Sequence, residues 1–188
     1  ELFRAAVDDA RRRRTRMIEL VGEAGIGKSR LVEELKLECA GFQQLVARGE
    51  QYASATAYGA WRDLLRPLAG ITTDADATAA GAHLQAWVNA VMPDLAPWLP
   101  LLAIPFGAEV TPTPESEQLA APFRRRRLNE TVDGFLTRLL LMPTLLVIED
   151  AHWLDEASAD LLRHVAASRV PRPWLVCVTR RDEQERFA

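Results

Sequence analysis

Residues 22–29 of this chain read Gly22-Glu23-Ala24-Gly25-Ile26-Gly27-Lys28-Ser29, a complete G-x-x-x-x-G-K-[ST] sequence. An apolar segment, Met17–Val21, precedes it, and leucines at helical spacing follow it. A strand, a glycine-rich loop and a helix in this order direct several backbone N–H groups and a helix N-terminus at one anion. The stretch therefore predicts a phosphate-binding loop.

The residue types within this loop suit a nucleotide. Glycine tolerates the dihedral angles that the loop needs, Lys28 can reach the β- and γ-phosphates, and the Ser29 hydroxyl can ligate Mg²⁺. Only two of the 23 basic residues are lysines, and one occupies the position where a compact point charge is favoured over a planar guanidinium. The predicted nucleotide-binding residues are Gly22, Glu23, Ala24, Gly25, Ile26, Gly27, Lys28, Ser29 and Arg30.

Length and charge limit the classes of protein to be considered. The 188 residues suit a single domain, 1–188, with a sizeable core. The net charge of −3 provides no basic field to attract nucleic acid or an anionic membrane. No apolar run approaches the roughly 20 residues of a membrane span, and no signal peptide is visible. Cys39 and Cys177 stand in apolar contexts that predict buried, reduced thiols, so we expect a cytoplasmic protein.

Strands and helices alternate along the chain, which predicts an α/β fold with a three-layer parallel sheet. The predicted strands are 17–21, 43–47, 144–148 and 174–179.

A predominantly helical insert, about 49–143, separates the second and third strands and is far longer than a simple crossover needs. The proline-rich segment 93–114 predicts irregular backbone with one short helical turn around Leu99. The predicted helices of the insert are 58–69, 78–92 and 122–141.

Two adjacent acids, Glu149 and Asp150, follow the apolar run Leu145–Ile148. The carboxyl end of a parallel strand faces the crevice in which nucleotides bind. One carboxylate can hold Mg²⁺ and the other can polarise an attacking water molecule, which is the Walker B pattern. The predicted metal ligands are Ser29, Glu149 and Asp150.

The sequence favours ATP over GTP. The guanine-reading [NT]-K-x-D signature requires a lysine other than Lys28, and Lys36 is followed by Leu37-Glu38, which does not fit. ATP and ADP are therefore the predicted nucleotides. A small-molecule kinase with a phosphate loop stays open, although such kinases usually lack paired acids on a separate strand.

Two stretches resemble a known family. The residues Glu-Ala-Gly-Ile-Gly-Lys-Ser-Arg-Leu (23–31) and Leu-Val-Ile-Glu-Asp-Ala-His-Trp-Leu-Asp (146–155) are similar to the AAA/STAND-type, ORC-like ATPase modules of large bacterial signalling proteins. Such modules occur in LuxR-type transcriptional regulators and beside adenylate/guanylate cyclase domains, often with tetratricopeptide repeats. The segments 58–65 and 93–102 also resemble the inserts of these proteins.

The resemblance implies roles for the site residues. Lys28 would contact phosphate, Ser29 and Glu149 would face the metal, and Asp150 would activate water. Many relatives have Asp as the first acid, so the division of roles between Glu149 and Asp150 stays open. At the end of the fourth strand, Arg181 is preferred over Arg180 as the sensor of the γ-phosphate. The predicted catalytic residues are Asp150, Glu149, Lys28 and Arg181.

The resemblance also implies a P-loop NTPase of the ASCE type with strand order 2-3-4-1-5. The fifth strand and the helical lid are expected to be missing from this chain, which would leave the strand before the phosphate loop as an exposed edge. The expected consequences are weak nucleotide binding and self-association.

The predicted function is that of a Mg-dependent, ATP-binding and hydrolysing regulatory switch domain in a larger cytosolic signalling or transcription-regulating protein. Its expected partners are attached output domains, namely cyclase, helix-turn-helix or tetratricopeptide repeats, without membrane contact or direct nucleic-acid binding. Two alternatives stay open: an initiator-type AAA+ ATPase associated with nucleic acid, and a nucleotide-binding scaffold without turnover.

Two arginine runs, 11–14 together with Arg16, and 124–127, are interpreted as solvated helix faces whose charges pair with Asp8, Asp9 or Glu130. The i,i+4 spacing favours the pairs Asp8 with Arg12 and Asp9 with Arg13. The alternative for the second run is an arginine finger that contacts the nucleotide of a neighbouring subunit.

Overall fold

Four parallel strands form one sheet in the part of the chain that the computed structural model describes, residues 1–51 and 57–182. The order across the sheet is β2-β3-β4-β1, so the predicted α/β parallel fold and the relative order of its first four strands are confirmed. Each strand is one residue longer than predicted. The strands are β1 (Arg16–Val21), β2 (Gln43–Arg48), β3 (Thr144–Glu149) and β4 (Trp174–Arg180).

Helices cover both faces of this sheet. The α-helices are α1 (Leu2–Arg11), α2 (Lys28–Glu38), α3 (Gly59–Leu68), α4 (Ala77–Val91), α5 (Leu99–Phe106), α6 (Pro114–Gln118), α7 (Ala121–Leu139) and α8 (Glu156–Ala167). Two 3-10 helices, Pro93–Trp98 and Ala151–Trp153, lie before α5 and α8. Among the described residues, no helix is long and apolar enough to span a membrane.

The alternation of side chains along β3 separates the core into two parts. Leu145 and Val147 pack with α1 and α2, whereas Leu146 and Ile148 pack with α8 and the helices of the insert. A strand that is buried on both faces needs a continuous apolar sequence, which explains why β3 and β4 were recognisable from sequence.

The two thiols, Cys39 and Cys177, are buried and free as predicted, and burial raises their pKa values to about 11 and about 12.

The three predicted helices of the insert are present as α3, α4 and α7, but the prediction for the proline-rich segment was wrong. Instead of one helical turn in irregular backbone, it contains a 3-10 helix that continues into the buried helix α5. Pro100 lies in the first turn of α5, where its missing N–H has no intrahelical acceptor to lose. Gly107, with a φ of 57°, ends the helix.

The hydrogen bonds of one arginine and the close packing of one glycine hold the elements of the insert in contact. The buried Arg66 donates to the carbonyl oxygens of Phe106 and Gly107 at the end of α5, and also to two carbonyls between α3 and α4, Thr73 and Ala75. On α4, a Cβ added to Gly81 would lie 1.7 Å from the backbone oxygen of Glu109. Packing at this distance explains why α4 needs a glycine in its interior.

The extent of the insert, about 49–143 within a single domain, stays a prediction.

Both arginine runs contact acids of their own chain, as predicted, but the expected pairs of Arg12 with Asp8 and of Arg13 with Asp9 are replaced by others. Arg11 pairs with Asp8, and Arg14 and Arg16 pair with Asp9. In the second run, Arg126 and Arg127 pair with Glu130, whereas Arg125 pairs with Glu156 and Asp160 on α8. Among the described residues, Arg12, Arg13 and Arg124 form no ion pair, and the finger role of the second run stays an untested alternative.

Candidate nucleotide-binding site

The loop between β1 and α2 has the backbone that its glycines predict. Gly25 and Gly27 have φ values of 80° and 101°, in the left-handed region that side chains with a Cβ avoid. Gly27 is also the N-cap of α2, and it offers no side-chain acceptor to the first N–H groups of the helix. These N–H groups and the positive end of the helix dipole are therefore available to an anion.

Lys28 lies across this loop. Its Nζ donates to the carbonyl oxygens of Gly22, at 2.7 Å, and Glu23, at 2.9 Å. The ammonium group is thus held at the loop by two backbone acceptors, and Ser29 follows it on the exposed first turn of α2.

The opposite wall of the site begins where β3 ends. Asp150 has a φ of 51°, and its N–H donates to Thr179 Oγ1 over 2.9 Å, which ties this turn to the end of β4. Its carboxylate accepts from Arg48, the last residue of β2, with a distance of 3.1 Å between Nε and Oδ2. The carboxyl ends of three neighbouring strands therefore converge on one acid.

A cavity of about 480 Å³ separates the two walls. It brings together seven of the predicted site residues: Ala24, Gly25, Gly27, Lys28, Ser29, Asp150 and Arg181. The other residues of the lining are Arg48, His152, Trp153 and Thr179. Other predicted residues lie outside this lining, namely Gly22, Glu23, Ile26, Arg30 and Glu149.

The two acids of the Walker B pattern point in different directions. Glu149 is still part of β3, and the alternation along the strand puts its side chain on the same face as Val147, towards α2. One of its carboxylate oxygens lies 4.0 Å from Lys36 Nζ. Asp150 belongs to the turn and lines the cavity.

The two arginines at the end of β4 differ in the same way. Arg180 is buried, and its Nε lies 3.1 Å from Glu19 Oε2 on β1. Arg181 lines the cavity, with its guanidinium carbon 5.6 Å from the centroid of the Trp153 ring. The cationic group nearest to the cavity at this strand end therefore belongs to Arg181.

His152 lies beside these groups, with its ring centroid 4.9 Å from that of Trp153. Burial lowers the pKa of His152, and the positive charges of Arg181 and Lys28 lower it further, against the opposite effect of Asp150. The neutral imidazole is therefore favoured in the folded chain.

Sequence reasoning missed three residues of this site: Arg48, Gly49 and Thr179. A Cβ added to Gly49 would lie 2.4 Å from the backbone oxygen of Asp150, so this glycine allows β2 and the turn after β3 to approach. Each of the three lies at the carboxyl end of a predicted strand, and that position was the available signal.

The residues of the cavity fit a magnesium nucleotide. Magnesium in such sites is held by one or two protein oxygens together with phosphate oxygens, and the Ser29 hydroxyl and the Asp150 carboxylate line the same cavity. Across residues 1–51 and 57–182, no group of three or more His, Cys, Asp or Glu side chains could hold a metal ion by itself.

Comparison with known proteins agrees with this geometry. The profile of the AAA ATPase domain matches residues 1–177, which include the phosphate loop, the insert and the turn after β3. No curated protein matches the chain. With its phosphate loop, its parallel sheet and this match over most of its length, the chain belongs to the AAA ATPase domain family.

Proposed function

We propose that this chain binds Mg-ATP and hydrolyses it as a regulatory switch domain of a larger cytosolic signalling or transcription-regulating protein. The cavity that Lys28, Ser29 and Asp150 line together is the strongest support for this function. Membership of the AAA ATPase domain family supports nucleotide binding.

Phosphate binding is assigned to the loop and to the cations around it. The N–H groups at the start of α2 and the Lys28 ammonium would hold the β- and γ-phosphates. Arg181, on the far side of the cavity, would contact the γ-phosphate and so distinguish ATP from ADP. Mg²⁺, when bound, would neutralise part of the phosphate charge, with Ser29 and Asp150, which line the cavity, as its protein ligands. Glu149, the third predicted ligand, would have to turn away from Lys36 to take part.

The polarisation of water is assigned to Asp150. Of the two Walker B acids it is the one that lines the cavity, whereas the Glu149 carboxylate lies towards Lys36. A positioned carboxylate that accepts a proton from an attacking water molecule contributes about 10²- to 10⁴-fold to the rate of hydrolysis.

Coupling to the rest of the protein would run through the turn after β3. This turn leads into Asp155, whose side chain accepts from the N–H of Ser158 at the start of α8 and from the N–H of Tyr58 before α3. A change at Asp150 would therefore reach α8 and the insert through a short, hydrogen-bonded path. Cyclase, helix-turn-helix or tetratricopeptide output domains and nucleotide-dependent self-association are the proposed partners of this switch.

Substitution of Asp150 tests the proposal. The Asp150→Asn variant should lower kcat for ATP hydrolysis by about 10²-fold or more and change the Kd for Mg-ATP by less than about threefold. Asp63→Asn is the matched control, because Asp63 is an exposed acid on α3 that does not line the cavity. Equal kcat values for Asp150→Asn and the wild type would contradict the assignment.

A scaffold that binds nucleotide without turnover is the second candidate function. It is favoured by the ion pairs that engage both acids, Asp150 with Arg48 and Glu149 with Lys36. Binding of Mg-ATP without release of phosphate by the wild type would support the scaffold and contradict the ATPase.

A further inference from the structure

We propose that the end of the sheet opposite the phosphate loop is a docking surface for a protein segment that carries an apolar side chain flanked by carboxylates. The surface, which we call the basal rim, consists of Arg12, Arg13, Leu141, Met142, Arg169 and Val170. The strands separate it from the nucleotide cavity by about 20 Å.

Three loops that enter neighbouring strands form the basal rim, and hydrogen bonds hold them side by side. Thr15 Oγ1, before β1, donates to the carbonyl oxygen of Arg172, before β4, at 3.3 Å. The N–H of Thr144, at the start of β3, donates to the carbonyl oxygen of Pro173 at 2.9 Å. Trp174 Nε1 donates to Leu140 O, also at 2.9 Å. The loops therefore present one fixed surface.

Large apolar side chains are exposed on two of these loops. Leu141 and Met142 are 60% and 67% exposed, and Val170 is 46% exposed. The residues next to them along the chain include Leu140, which is buried in the core. Exposed apolar side chains on adjacent, hydrogen-bonded loops are typical of protein interaction sites.

Arginines without an ion pair are exposed on two of the same three loops, before β1 and before β4. Arg12, Arg13 and Arg169 are exposed, and none of them forms an ion pair within the described part of the chain. Their neighbours in the same run, Arg11, Arg14 and Arg16, are paired with acids. The chain as a whole is negatively charged, so these uncompensated arginines give the basal rim a local charge of the opposite sign.

A protein segment complements both parts of this surface. Arginine is weakly hydrated and binds carboxylates through two parallel N–H donors, and it is over-represented among residues that dominate binding energy. The apolar centre requires a matching apolar side chain, which a nucleic-acid backbone lacks. Membrane-surface binding generally uses one face of an amphipathic helix, whereas the basal rim is built from loops.

A peptide selection on the full chain tests this proposal. A phage-displayed library of random 16-residue peptides is selected on the wild type, and enriched peptides are synthesised and their Kd values are measured by fluorescence anisotropy. Enriched peptides should contain an apolar residue flanked by Asp or Glu. They should bind about tenfold or more weakly to Arg12→Glu/Arg13→Glu/Arg169→Glu and to Leu141→Ser/Met142→Ser.

Matched controls keep the test specific. Phe123→Ser and Arg126→Glu remove one exposed apolar and one basic side chain from α7, outside the basal rim, and should leave peptide binding unchanged. Unchanged circular dichroism and Mg-ATP affinity would show that the rim variants remain folded.

Several results would overturn the proposal. These are a selection without enrichment, enriched peptides without acidic residues, and peptides whose affinity the rim variants do not change. Rim-dependent binding to vesicles of phosphatidylserine and phosphatidylcholine would assign the surface to a membrane instead. A rim-dependent dimer in sedimentation experiments would assign it to a second copy of the chain.

Discussion

Arg48 Nε lies 3.1 Å from Asp150 Oδ2, so the last residue of β2 forms an ion pair with the first residue after β3. Both side chains are partly exposed, and ion pairs of this kind contribute about 0 to 1 kcal/mol to stability. We therefore expect the ion pair to affect ATP hydrolysis more than stability, because Asp150 is the acid proposed to polarise water.

Removal of Arg48 should increase the rate of hydrolysis. In Arg48→Ala the Asp150 carboxylate is released from its ion pair and is free to hydrogen-bond a water molecule in the cavity, so kcat should rise by about two- to tenfold. The double variant Arg48→Ala/Asp150→Asn should have the low kcat of Asp150→Asn alone, because Arg48 would act through the acid. A lower kcat for Arg48→Ala would instead indicate that Arg48 acts directly on the phosphates.

The close packing of α4 predicts opposite effects for two glycine substitutions. Gly81→Ala should lower the free energy of unfolding by about 1–3 kcal/mol or more, because the added Cβ would collide with the backbone oxygen of Glu109. Gly134→Ala, in α7, has no atom within 4 Å of the added Cβ and should raise it by about 0.5–1 kcal/mol. Urea denaturation measures both values. An unchanged free energy of unfolding in Gly81→Ala would be incompatible with the packing described.

Asp155 should contribute more to stability than Asp76, which also caps a helix. Asp76 caps α4 through the N–H of Ala79, so Asp76→Ala should lower the free energy of unfolding by about 1 kcal/mol. Asp155 caps α8 and also accepts from Tyr58, while its Ser158 partner is buried. Asp155→Ala should therefore cost about 2–3 kcal/mol, since it leaves buried donors unsatisfied. If thermal denaturation shows the same loss of stability in Asp76→Ala and Asp155→Ala, the hydrogen bond to Tyr58 contributes nothing.

His152 should make stability depend on pH in weakly acidic solution. Its pKa is lowered below the ordinary value of 6.5, mainly by burial, so the unfolded chain takes up this proton more readily than the folded chain. The contribution of His152 to stability is present above pH 6.5 and is lost as the pH falls through the lowered pKa. Melting temperatures between pH 7 and pH 5 should decrease more in the wild type than in His152→Gln.

His83→Gln is the matched control for this measurement, because His83 lies in the insert beside the carbonyl oxygen of Ala69. It should keep the pH dependence of the wild type. Loss of that dependence in His83→Gln, or its persistence in His152→Gln, would assign the effect to another group.

The sheet and the phosphate loop were predictable because their signals are local. The loop is defined by eight consecutive residues, and β3 and β4 are continuous apolar runs that only a strand buried on both faces requires. The helix α5 was not predictable in this way. Its prolines favour irregular backbone in isolation, and packing against α3, α4 and α7 overrides that preference.

The site was predictable only in part, for a related reason. Lys28, Ser29 and Asp150 belong to recognisable motifs, but Arg48 becomes a site residue only because β2 lies next to β3 in the sheet. The direction of the Glu149 side chain depends on the strand's alternation at its last residue, and the motif does not encode whether that residue still belongs to the strand.

The phosphate loop is proposed to hold the nucleotide, and the two lysines of the chain allow a stringent test of this role. Both lie on α2, but only Lys28 lines the cavity. Isothermal titration calorimetry should show Mg-ATP binding to the wild type, an increase in Kd of about tenfold or more in Lys28→Ala, and a change below about threefold in Lys36→Ala. The same Kd for Lys28→Ala and the wild type would show that the phosphate loop does not hold the nucleotide.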